Sequence, residues 1–110
     1  MGEVLDDETR ELAAEAMIAY NAMETTKRRH FDYLNMLESK RKKFNLEATS
    51  EETELLASLL RDHDQSVKSF KLQAGSLQSV SPESHLSLFK YIGMLNKLFG
   101  DSAAASESSH

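Results

Sequence analysis

Two histidines, His30 and His63, with Asp32, Asp62 and Asp64 close by, are the side chains best suited to hold a metal in this chain. Imidazoles and carboxylates projecting into a helical bundle can build such a site. A dinuclear bundle needs Glu-x-x-His pairs turned inward, and none occurs here. Asp62 and Asp64 flank a seam position and should point outward. The spacing therefore favours ordinary hydrogen-bonded seam histidines, with His30 and His63 kept only as weak metal candidates and no cofactor expected. Imidazole as a side chain changes charge near neutral pH, so a pH-sensitive contact between the two is a further expectation.

A second set is basic. Lys27, Arg28 and Arg29 precede the run Lys40–Lys43, with Phe31 and Tyr33 between them. Positions 29, 33, 36, 40 and 43 share a helix face. Lys27, Arg28, Arg29, Tyr33, Lys40 and Lys43 are thus candidate contacts for phosphates and a stacked base. The net charge of −5 works against general attraction to nucleic acid. The competing reading, which we weight more heavily, pairs the basic run with Glu51, Glu52 and Glu54 across a hairpin.

No catalytic set is visible. The chain lacks a Gly-rich phosphate loop, a Gly-x-Ser-x-Gly elbow, a His-Glu-x-x-His helix and any cysteine. Ser81, Ser84 and His85 lie together, but Ser81 is better placed to cap a helix than to attack a substrate. These observations predict a protein that is not an enzyme.

The elements that carry these residues are helical. Leu, Met and Ala dominate the apolar positions, while Val and Ile are scarce, which suits helices and disfavours a sheet. Asp6 and Asp7 can open a first helix, which the stripe Leu12, Ala16, Ala19, Met23, His30, Leu34, Leu37 and Phe44 extends from about 7 to 44. Asn45 is a suitable left-handed stop. Thr49 and Glu52 have the spacing of a capping box, and Leu56, Leu60, His63, Val67, Phe70, Ala74 and Leu77 then form a heptad seam over 51–78. Ser81-Pro82-Glu83 opens a third helix over 82–99. The Ser/Ala-rich segment 101–110 reads as a disordered tail.

The short Asn45–Ser50 link requires the first two helices to run antiparallel as neighbours. Counting from it sets His63 near His30, Phe31 and Leu34, and Phe70 near Met23. The expected fold is all-α: a long antiparallel helical hairpin plus a shorter third helix, a three-helix bundle in one domain over 1–100. The third helix is apolar nearly all round, so either it is the central plug clamped by the hairpin or part of it is left for a partner subunit. Leu88, Tyr91, Met94 and Phe99 are therefore candidate interface residues, and a homodimer would complete the bundle.

No stretch is long and apolar enough to span a membrane, and the acidic start lacks the apolar core of a signal peptide. The absence of cysteine suits a cytoplasmic setting. The leading expectation is a non-enzymatic protein-interaction module or small adaptor that self-associates. A nucleic-acid-binding regulator comes second and a metal-binding bundle third.

Overall fold

The computed structural model describes residues 6–100. The chain is all-α, with two long helices and a shorter third: α1 (Asp7–Phe44), α2 (Ser50–Val80) and α3 (Pro82–Leu95), the last continued by a π-helical turn at Asn96–Gly100. No strand occurs among the described residues. The anticipated tail at 101–110 lies outside them.

Each helix boundary follows from local chemistry. At the start of α1, the Thr9 backbone N–H donates to Asp6 Oδ1 at 2.7 Å. The Thr9 hydroxyl first, and this amide second, hold the Asp6 carboxyl below its ordinary range. Asn45 ends the helix at φ 56°, a left-handed conformation that asparagine tolerates better than most residues. At the start of α2, Glu52 N–H donates to Thr49 Oγ1 at 3.1 Å while Thr49 N–H donates to Glu52 Oε1 at 2.9 Å. That reciprocal pair satisfies two amides that the first turn leaves without partners. Ser81 caps α3 by accepting from Ser84 N–H at 3.2 Å, with Pro82 at the first helical position.

Helix α2 runs to Val80, past Gly75 and beyond the expected end near 78. A glycine costs a helix only about 1 kcal/mol. Buried Ala74 and Leu77 on either side outweigh that, because ending the helix there would expose them.

The described residues fall into two compact units. Ala14–Gln73 is one of them, and it is a hairpin. Tyr20 meets Phe70 edge-on with ring centroids 5.8 Å apart, Thr26 meets His63, and Lys40 meets Glu52. Partners step down α1 as they step up α2, so the two helices are antiparallel. The register differs from the expected one by about a turn. Phe70 meets Tyr20, about one turn from the expected Met23, and His63 meets Thr26, one turn from the expected His30. A residue count from the elbow contains nothing about the elbow's own geometry, which decides the level where the helices begin to pair.

Heptad spacing puts Ala16, Met23, His30 and Leu37 on the inner line of α1 and Leu56, His63 and Phe70 on that of α2; Ala16, Leu37 and Phe70 are buried. Leu60 and Phe44, both expected on the seams, are exposed, and Leu59 is the half-buried leucine of that pair.

The second unit gathers residues 6–13 with 74–100 among those described. Its buried side chains are Thr9, Ala74, Leu77, Leu88 and Ile92, with Leu77 fully enclosed. Leu88 and Ile92, one turn apart, are the inward edge of α3. Leu88 therefore leaves the set of interface candidates: the i, i+4 pairing with Ile92 turns it into the unit's own core. Tyr91 and Met94 are exposed, whereas the side chain of Phe99 lies outside the described residues.

Candidate interaction face

The elbow end of the hairpin is fastened by one carboxylate. Glu52 Oε1 accepts from Lys40 Nζ at 2.6 Å and from Thr49 N–H at 2.9 Å, so the capping box of α2 is also tied to α1. The ammonium and the amide both favour the charged carboxylate and lower the Glu52 pKa from its ordinary 4.5, the Lys40 hydrogen bond contributing most.

The expected pairing of the basic run with the acidic cluster is thus realised in the ion pair Lys40–Glu52, and Arg41 turns to Glu38 on its own helix at 3.3 Å. A lowered folded-state pKa means that the contribution is present above the unfolded value and is lost as pH falls through the folded one. Glu52→Gln should lower the melting temperature at pH 7 and flatten its fall between pH 5 and 3. Thermal melts followed by circular dichroism check this, and an equally steep acid limb in the variant would contradict it.

The histidines do not form a pair. Thr26 Oγ1 donates to the Met23 carbonyl at 3.0 Å and lies 3.1 Å from His63 Nδ1. A hydroxyl has one proton, so with that proton on the carbonyl, His63 Nδ1–H is the donor to Thr26. His30 packs edge-on against Phe31 with centroids 5.8 Å apart. No group of three His, Asp or Glu that could hold a metal is gathered among the described residues.

The basic residues are partly consumed. Lys27 pairs with Glu24 at 3.2 Å and Lys40 with Glu52. Arg28, Arg29 and Lys43 are exposed and enter no ion pair among the described residues. Arg29 and Lys43 share a line along α1 about 21 Å apart, with half-exposed Met36 midway. Tyr33 is half-buried beside them. Two separated cations around a methionine are a poor phosphate track and a better rim for an apolar contact.

Farther from the elbow the same side of the hairpin opens into a groove of about 450 Å³. Ala19, Ala22 and Thr26 line it from α1, and Asp62, Ser66 and Ser69 from α2, with Glu15 and Ile18 at its edge. Short side chains on both helices leave the space unfilled. Sequence reasoning missed this groove. Its signal was present in the small residues spaced at three and four, but only the register brings the two sets together.

On α3, Leu86, Phe89, Tyr91, Met94 and Leu98 are exposed apolar side chains. No described helix is long and apolar enough to cross a membrane. No protein family matches this chain, and no curated protein or solved structure does so either.

Proposed function

We propose that this chain is a non-enzymatic, cytoplasmic protein-interaction module that self-associates. One observation carries the reading: the hairpin leaves Ile18, Phe31, Met36, Leu55 and Leu60 exposed although its own inner lines are filled. Apolar side chains of that size, exposed on both helices, are what a protein-binding surface presents before its partner covers it. The capped, ion-paired elbow supports the reading by giving a rigid platform for that surface, which lowers the ordering cost of binding.

Light scattering coupled to size exclusion, run across the micromolar range, tests self-association. A dimer mass that falls on dilution is expected, and a monomer mass throughout would count against it.

Arg28, Arg29 and Lys43, exposed and without ion pairs among the described residues, favour a second reading as a nucleic-acid-binding regulator. Retention on heparin at physiological salt, lost in Arg28→Glu/Arg29→Glu, would put that reading first.

A further inference from the structure

We propose that one side of the hairpin is self-complementary, so that two copies of the chain pair on it, antiparallel, about a two-fold axis at the level of Arg29 and Asp62. This rests on the self-association proposed above and specifies its face and register.

The face is defined by heptad spacing. Glu15, Ala22, Arg29, Met36 and Lys43 lie seven apart on one line of α1, and Glu15 and Ala22 border the groove. Leu55, Asp62 and Ser69 lie seven apart on α2, and Asp62 and Ser69 border the same groove. The line therefore continues from the groove toward the elbow. There it carries large side chains instead of small ones: Met36 is 50% exposed and Leu55 47% exposed. The face is hollow at Ala22 and Ser69 and projects at Met36 and Leu55.

A dyad across the helices at Arg29 and Asp62 exchanges the halves. Seven residues before Arg29 is Ala22 and seven after is Met36. Seven before Asp62 is Leu55 and seven after is Ser69. The rotation thus sets Met36 of one copy over Ala22 of the other, and Leu55 over Ser69. A projecting side chain meets a short one on both helices, independently. Arg29 and Asp62 share a level because Thr26 and His63, close to each in sequence, touch.

Charge follows the same symmetry. Glu15 and Lys43, fourteen residues apart and in no ion pair among the described residues, become opposite ends that meet in the second copy. The central layer holds two arginines and two aspartates and is neutral. The contact is isologous and builds an antiparallel four-helix arrangement. A second copy suits this face better than an unrelated helix, because groove, projection and charge are matched within one chain.

Cysteine scanning tests the register directly, since the chain has no cysteine of its own. Positions 22 and 36 are about 21 Å apart along one helix, far beyond disulfide reach within a copy. Under mild oxidation, Ala22→Cys/Met36→Cys should run as a covalent dimer on non-reducing gels, while neither single variant should. Met36→Glu/Leu55→Glu should weaken the dimer on the order of a hundredfold in sedimentation equilibrium, with helicity retained by circular dichroism. Lys43→Glu should weaken it, and Glu15→Lys/Lys43→Glu should restore it.

Cross-linking of Met36→Cys alone would centre the dyad at Met36 and overturn the register. A dimer indifferent to Met36→Glu/Leu55→Glu but lost in Tyr91→Glu/Met94→Glu would move the interface to α3 and overturn the proposal, leaving self-association standing. A chain monomeric at every concentration would overturn both.

Discussion

Phe70→Ala should cost the folded protein about 3–4 kcal/mol, the loss expected when a buried aromatic ring is cut back to a methyl group. Phe70 is buried in the hairpin and its ring meets Tyr20 edge-on at an interplanar angle of 61°. Removing it takes away apolar burial, leaves a cavity beside Tyr20 and deletes an aromatic contact that contributes roughly 0.5–1.5 kcal/mol beyond area alone.

Burial also raises the Tyr20 pKa, with Glu24 adding to the effect. Phe31→Ala provides the comparison. Phe31 is exposed, so its loss should shift stability by no more than about 0.5 kcal/mol. Urea denaturation read by circular dichroism measures both. Similar midpoints for the two variants would show that the Tyr20–Phe70 layer is not the hairpin's core.

The second large effect lies seven residues further along the same helix. Leu77 is fully buried, at 0% exposure, while Leu72 is 68% exposed. Leu77→Ala should destabilise by about 3 kcal/mol, from lost transfer energy and the cavity left behind. Leu72→Ala should be nearly silent, because alanine is at least as good a helix former and nothing buried is lost. With a native stability on the order of 5–15 kcal/mol, the Leu77 variant gives up a large share of the total and should melt many degrees lower. Both changes are Leu→Ala in α2, so helix propensity cancels and burial alone separates them. Equal melting temperatures would contradict the assignment.

The helix ends were legible in the sequence because capping is local. Thr49 and Glu52 are three residues apart, Ser81 and Ser84 likewise, and Asn45 needs only its own backbone angles. The hairpin was legible for a similar reason, since a short elbow leaves two apolar stripes few other places to go.

The candidate face was less so. The line through Arg29, Tyr33, Met36, Lys40 and Lys43 is readable from periodicity, yet its reading as a basic strip assumed that all its cations were free. Lys40 is not, because Glu52 faces it across the hairpin. Leu88 illustrates the same limit in the apolar class. An all-round greasy helix shows that something must be covered, and only packing shows that Leu88 and Ile92 are inside while Tyr91 and Met94 are outside.

Helical class, three starts, the left-handed stop and the antiparallel sense of the hairpin were all determined by residues acting within a turn of one another, where propensity and capping dominate. The register was decided only in three dimensions, and with it everything that depends on which residue of α1 faces which residue of α2. The partners Tyr20–Phe70, Thr26–His63 and Lys40–Glu52, and the groove between Ala22 and Ser69, are long-range consequences of how two helices settle against each other. A shift of one turn keeps every helical propensity intact and changes every cross-helix contact, which is why the chain's local chemistry leaves that choice to packing.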